Sequence, residues 1–166
     1  MIAKELENPF TDSEHDHASC VVEALNAAKI ACKKSGERLT PLRLKVLELI
    51  WRSHSPVGAY DLLEMLREER GRVAPPTVYR ALEFLCRQGF VHRLDSLQAF
   101  IGCGHPTGYF EGRHAAHFLI CQDCGVALEI RDGPLEGAIE GLVGRMDFAI
   151  ADETIELSGI CSACQP

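Results

Sequence analysis

The sequence predicts an α+β chain in two halves: an N-terminal half of helices closed by a β-hairpin, and a smaller C-terminal α/β half. Three observations predict it. Apolar residues recur at helical spacing up to Gly89 and at strand-like spacing directly after it. The charge changes sign along the chain, with thirteen Lys and Arg against seven acids in residues 29–93 and three Arg against eleven acids in residues 94–166. Two C-x-x-C pairs, Cys121 with Cys124 and Cys161 with Cys164, both fall in the second half.

Residues 1–17 mix Pro, Asp, Glu, Asn and two His without a period and read as a flexible acidic tail. From Ala18 to Lys34, Val21, Val22, Leu25, Ala28 and Ile30 recur at helical spacing. That stretch ends on Lys33 and Lys34, cations suited to the negative end of a helix, with Gly36 just beyond. Thr40-Pro41 is a start signal, an N-cap hydroxyl followed by proline at the first helical position. Leu42, Val46, Leu47, Leu49, Ile50 and Trp51 make the apolar face of this second helix, which runs to about Arg52. Ser55-Pro56 and Gly58 break the chain. A third helix, Ala59–Arg70, turns Leu62, Leu63 and Leu66 inward. A fourth begins at Pro75-Pro76-Thr77, carries Val78, Ala81, Leu82 and Leu85, and stops at Gly89. Phe90–Leu94 and Ala99–Ile101 then read as two strands around a polar turn at Asp95-Ser96.

Helix, turn, helix and hairpin outline a winged helix-turn-helix domain over residues 18–102, an architecture that places one helix in a DNA groove. Gly102–Gly112 is rich in Gly and carries a Pro, and residues 103–113 are assigned as the hinge loop. In residues 114–166, His114–Ile120, Val126–Ile130 and Phe148–Leu157 read as strands and Leu135–Met146 as a helix. Neither half has much area for a core, so a metal staple or a partner chain would help each fold.

Composition sets the class. With 46% apolar and 25% charged residues the chain reads as folded rather than disordered. No run approaches the ~20 apolar residues of a membrane span. The opening MIAKELENPFTDSEHDH has neither a basic nor an apolar segment of the kind a signal peptide needs, so a reducing cytoplasm is expected. There, eight cysteines read as metal chemistry rather than disulfides. The net charge of −7 argues against nucleic acid for the chain as a whole, but the basic stretch restores that reading locally.

Two residues between cysteines let both sulfurs point at one ion from a tight turn, and Gly125 permits the close backbone approach of such a knuckle. Four thiolates from Cys121, Cys124, Cys161 and Cys164 suit tetrahedral Zn²⁺ in a closed, structural site. A redox C-x-x-C needs its reactive cysteine at a helix N-terminus. Here Cys121 follows a strand and only two residues follow Cys164, which speaks against a thiol oxidoreductase. Catalytic zinc needs an open coordination position and a nearby acid or base, and no such motif is visible, so no enzyme is expected. A purely structural zinc-ribbon adaptor would leave the basic helical half unexplained.

Several stretches together resemble the ferric uptake regulator family of bacterial metal-sensing repressors. They are Arg38-Leu39-Thr40-Pro41-Leu42-Arg43, Pro76-Thr77-Val78-Tyr79-Arg80-Ala81-Leu82, Gln88-Gly89-Phe90-Val91 and the paired C-x-x-C. Ala59-Tyr60-Asp61-Leu62-Leu63, Pro75-Pro76, Phe90-Val91-His92 and a cysteine near the hairpin's end look most like its zinc-sensing branch. The resemblance covers about residues 20–164. It implies a DNA-binding winged helix, a C-terminal α/β dimerisation domain, and a homodimer that binds palindromic double-stranded operator DNA and represses zinc-uptake genes when zinc is plentiful. It implies about two Zn²⁺ per chain, one structural and one regulatory, and no other small-molecule substrate. Thr77, Tyr79 and Arg80 would face the major groove, where an Arg can donate two bonds to guanine, and the family adds a DNA contact from Tyr60. Lys33, Lys34, Arg38, Arg43 and Lys45 would meet phosphates.

The regulatory zinc ligands implied by the resemblance are His92, Cys103, His114 and Glu129, which come from both sides of the hinge. Such a set is tetrahedral and softer than an all-N/O site, favouring Zn²⁺ over Fe²⁺ or Mn²⁺. An iron-sensing or peroxide-sensing repressor of the same family is the alternative, and Cys103 argues against iron. The wider family places a further metal site in a His-rich stretch before the first C-x-x-C. This sequence keeps only His114 and His117 there, leaving His117 as a possible extra ligand. In a regular strand those two histidines face opposite ways. Each ligand also has a plainer reading: a wing residue, a buried thiol, a loop histidine, a strand carboxylate.

Overall fold

The computed structural model describes residues 17–52, 55–104, 116–150 and 153–166. Four helices come first: α1 (His17–Ser35), α2 (Pro41–Trp51), α3 (Ala59–Arg70) and α4 (Pro75–Arg87). Their starts follow the local chemistry. The Thr40 hydroxyl accepts from the Arg43 amide at 3.4 Å, and the Gly58 amide donates to the Asp61 carboxylate at 3.3 Å. Val46, Leu47 and Ile50 of α2, Leu62 and Leu66 of α3, and Val78, Leu82 and Leu85 of α4 form one buried core. The face of α1 differs from the one its large side chains suggest. Ala24, Ala28, Ala31 and Cys32 are buried, whereas Val22 and Ile30 are more than half exposed. An alanine stripe lets two helix backbones approach closely, and this decides which face turns inward.

Three short strands close this half: β1 (Val57–Gly58), β2 (Val91–Leu94) and β3 (Ala99–Gly102), in the order β1-β3-β2 and all antiparallel. β1 is not foreseen, because two residues show no alternation and its pairing with Ala99 and Phe100 is long-range. Gly102, read from the sequence as the start of a loop, is the last residue of β3 and pairs with Val91.

The second sheet contains β4 (Ala116–Cys121), β5 (Ala127–Ile130) and β6 (Thr154–Gly159), in the order β5-β4-β6. β5 is antiparallel and β6 parallel to β4, so the chain must cross over, which α5 (Gly133–Gly144) does. α5 begins before the expected Leu135 because Asp132 caps it, accepting from the Leu135 amide at 2.8 Å. It stops at Gly144, short of Met146. The expected strand Phe148–Leu157 is also shifted: residues 148–150 are outside any strand, and the pairing runs from Thr154 to Gly159. No residue of α5 is buried, and Leu142, Met146, Phe148 and Leu157 are each at least 46% exposed.

The β2–β3 hairpin serves both halves. Val91 and Phe100 join the helical core. Leu94 and Ile101, on the other face, join Ala116, Phe118, Ile120 and Ala127 of the second sheet. Two of the expected phosphate partners are engaged internally. Lys45 pairs with Glu48 and Glu69, and the Arg43 guanidinium lies 3.5 Å over the Phe84 ring while donating to the Arg38 carbonyl. Among the described residues, no helix is long and apolar enough to cross a membrane.

Candidate functional site

The two C-x-x-C turns meet. Cys121 ends β4 and the chain then turns tightly, with the Gly125 amide donating to the Cys121 carbonyl at 3.0 Å and Gly125 at φ +72°. The second turn closes the same way, the Cys164 amide donating to the Cys161 carbonyl at 3.0 Å. One sulfur from each of Cys121, Cys124, Cys161 and Cys164 lies within 4.8 Å of all the others, and Cys124 Sγ is 3.9 Å from Cys161 Sγ. Tetrahedral bonds of about 2.3 Å to one zinc require sulfurs roughly 3.8 Å apart, so the cluster fits that ion.

Its electrostatics agree. Amide hydrogen bonds from Cys124 and Cys161 bring the Cys121 thiol down to about 6, while hydrogen bonding with the Cys161 side chain and burial push Cys164 up to about 12. Cys124 is raised as well. One thiolate forms readily and its neighbours resist a second charge, a conflict that a divalent cation removes.

The second group bridges the two halves. His92 on β2, Cys103 directly after β3 and Glu129 on β5 bring a nitrogen, a sulfur and an oxygen within 4.8 Å of one another. His92 Nε2 is 3.5 Å from Glu129 Oε1, the two side chains are only 11% and 7% exposed, and Cys103 is fully buried. The other carboxylate oxygen, Glu129 Oε2, accepts from the Gly104 amide at 2.8 Å. The His92 ring stands edge-on to Phe118, centroids 5.4 Å apart. A buried imidazole, thiol and carboxylate are a donor set that suits zinc. His114, the fourth ligand implied by the resemblance, lies outside the described residues, as do residues 105–113 of the expected hinge.

His117 belongs to neither group. It pairs across the sheet with Ile130 and Ile155, whereas Phe118 pairs with Glu129 and Glu156, so His117 occupies the opposite face from Glu129. It is 1% exposed, neither ring nitrogen makes a hydrogen bond among the described residues, and its Nε2 is 3.5 Å from Glu153 Oε1.

On the helical half, α4 turns Val78, Ala81 and Leu82 into the core and leaves Thr77, Tyr79 and Arg80 exposed. Tyr60, at the start of α3, is 72% exposed. An exposed tyrosine, with an apolar ring and a polar hydroxyl, is suited to a polar partner. The sequence reading missed Glu156 and Gly102. Glu156 becomes legible only once the β4–β6 register is known, and Gly102 only once Trp51 is seen lying on it.

Comparison with known proteins is decisive here. The ferric uptake regulator family model matches residues 34–158. The chain belongs to the ferric uptake regulator family. It is therefore a regulator by descent and not an enzyme. It is 39% identical to the zinc uptake regulation protein of Escherichia coli (strain K12) over 145 residues, 86% of this chain and 81% of that one. Among solved structures it resembles a zinc uptake regulator complexed with zinc and DNA, at 38% identity and a TM-score of 0.80, over 87% of this chain and 94% of that one. Two structures of XcZur are instructive together. The holo form matches at a TM-score of 0.76 (42% identity, 84% of this chain and 95% of that one), whereas the apo form matches at only 0.51 (41% identity, 87% and 97%). At nearly the same identity, the backbone of this ferric uptake regulator chain is more similar to the holo structure than to the apo one.

Proposed function

We propose that the chain is a zinc-responsive transcription regulator that works as a homodimer in the bacterial cytoplasm, binds palindromic operator DNA when zinc-loaded, and represses zinc-uptake genes. The carrying observation is the His92, Cys103 and Glu129 group, whose members come from both halves of a chain in a holo-like arrangement. Residues 18–102 form the DNA-binding domain, 103–113 the hinge and 114–166 the dimerisation domain, with 1–17 as a tail. The exposed Leu142, Met146, Phe148 and Leu157 offer the apolar surface that a second copy would cover.

Two zinc ions per chain are assigned. Cys121, Cys124, Cys161 and Cys164 hold the structural one; His92, Cys103 and Glu129, with His114 as fourth ligand, hold the regulatory one. Zinc supplies coordinate bonds that cross-link these donors. The chain's own residues do the rest. β2 and β3 carry His92 and Cys103 as part of the wing, so fixing them against Glu129 fixes the winged helix on the second sheet. In a symmetric dimer that sets the two α4 helices about one DNA turn apart. Zinc favours DNA binding only as far as it prefers this closed form. Thr77, Tyr79 and Arg80 read the groove and Tyr60 makes a further DNA contact. The Cys103 thiol argues for zinc over an iron-sensing role. His117 and Glu153 offer two donors, one short of a metal site among the described residues, so no ion is assigned to them.

The test is metal content per chain before and after mild chelation, with binding to an AT-rich palindromic duplex measured on both samples. One tightly held zinc and one removable zinc, with DNA binding lost and regained alongside the second, is the expected result. A single zinc with DNA binding indifferent to chelation would overturn the reading.

A further inference from the structure

We infer that Glu156 is a positioning residue whose carboxylate grips the wing turn and holds the winged helix in the arrangement where His92, Cys103 and Glu129 meet. Glu156 Oε1 accepts from the Asp95 amide at 2.7 Å. Glu156 Oε2 accepts from the Ser96 amide at 3.0 Å and from the Ser96 hydroxyl. Three donors of one turn thus converge on a carboxylate from β6, some 60 residues away in sequence. Hydrogen bonds to a charged acceptor are the stronger kind, and a bidentate grip on consecutive amides also fixes orientation.

The register explains why this position matters. Phe118 of β4 pairs with Glu129 of β5 on one side and with Glu156 of β6 on the other. The row Glu129, Phe118, Glu156 therefore crosses the sheet on the face that meets the hairpin. Glu129 reaches His92 and the Gly104 amide, Phe118 supports the His92 ring, and Glu156 takes the turn just beyond Leu94. The two carboxylates stand two strands apart, about 10 Å. A single hold would let the hairpin swivel on the sheet, and the second hold removes that freedom. Burial opposes the charge on Glu156, but the Ser96 hydroxyl and the two amides outweigh it and leave the carboxyl below its ordinary value, so the grip is ionised at neutral pH.

The inference rests on the zinc-sensing reading for its purpose, and linkage supplies a test: if Glu156 favours a closed form that is scarce without metal, it also tightens zinc at the bridging site, by at most the same factor. The full-length protein would be compared with Glu156→Gln and the milder Ser96→Ala. Measured would be amide hydrogen exchange at Asp95 and Ser96, zinc affinity by chelator competition, retention of the four-cysteine zinc, and DNA binding across the zinc titration. Expected for Glu156→Gln are exchange at both amides at least tenfold faster, bridging-site zinc affinity about tenfold lower, a zinc midpoint for DNA binding shifted upward to match, and a retained four-cysteine zinc. Ser96→Ala should move the same readouts about threefold. Unchanged exchange, or faster exchange with zinc affinity within twofold of the parent, would overturn the inference. Indifference of the parent's DNA binding to zinc would instead sink the functional reading, with the zinc-affinity comparison still judging Glu156.

Discussion

Replacing Gly102 with alanine tests the fold and the bridging site together. A Cβ added at Gly102 would stand 2.8 Å from Trp51 Cζ2 and nearer still to Cε2 and Nε1. Carbon atoms prefer about 3.5–4.0 Å, so the ring or the strand must retreat by roughly 1 Å. Neither moves freely: Trp51 ends α2 and packs on the helical core, and Gly102 pairs with Val91 in β2. Overpacking of this kind costs about 1–3 kcal/mol. For a chain of this length that lowers Tm by roughly 3–9 °C. Cys103 is the next residue, so the same retreat displaces its sulfur from His92 and Glu129, where metal bonds tolerate only about ±0.2 Å. Gly102→Ala should therefore lose stability in denaturant unfolding and bind zinc at the bridging site at least tenfold more weakly, while keeping the four-cysteine zinc. Adding Trp51→Leu should restore part of the loss, a non-additive pair. A Gly102→Ala protein within about 0.5 kcal/mol of the parent, with unchanged zinc affinity, would refute the packing on which this reasoning stands.

Cys121→Ser should cost one zinc per chain and, because structural zinc contributes on the order of 10 kcal/mol to folding, unfold the second sheet; metal analysis and circular dichroism check it, and a variant keeping its full zinc content would exclude this cysteine as a ligand. Zinc uptake at neutral pH should release at least two protons, from the raised Cys124 and Cys164, and almost none from Cys121, which is already ionised above about 6. Affinity should accordingly rise with pH through neutrality and fall steeply below about 6, as calorimetry in buffers of different ionisation enthalpy would reveal. Arg80→Ala, at an exposed position, should leave stability within about 0.5 kcal/mol but weaken operator binding by about 1–3 kcal/mol, read by fluorescence anisotropy; undiminished affinity would remove Arg80 from the interface.

The helical half was legible because its signals are local. Thr40-Pro41, Pro75-Pro76 and the leucines of α3 report their own surroundings, and all stand where the periodicity puts them. The meeting of the four cysteines was legible because each C-x-x-C turn lets two sulfurs point to one place, and the four sulfurs do gather. Long-range facts were not. β1 exists only through Ala99 and Phe100, the shift of β6 to Thr154–Gly159 comes from pairing with β4, and Glu156 looks like any strand carboxylate until its neighbour is known. His92, Cys103 and Glu129 came from a resemblance, since three residues spread over 38 positions carry no spacing rule. The inward face of α1 is set by its alanines, which hide in a hydrophobicity pattern that larger side chains dominate.

The hairpin shared between the two cores sets the character of any opened form. Parting the halves would strip cover from Leu94, Ile101 and Phe118 at once, all now less than a tenth exposed. At about 1.5–3 kcal/mol for each large apolar side chain, full exposure of the three costs about 5–9 kcal/mol. An opened molecule would also present an adhesive stripe beside β2, the edge strand among the described residues, a combination that invites aggregation, chaperone capture and proteolysis. If bound zinc holds the halves closed, as proposed, its loss would expose the chain to this hazard as well as release it from DNA.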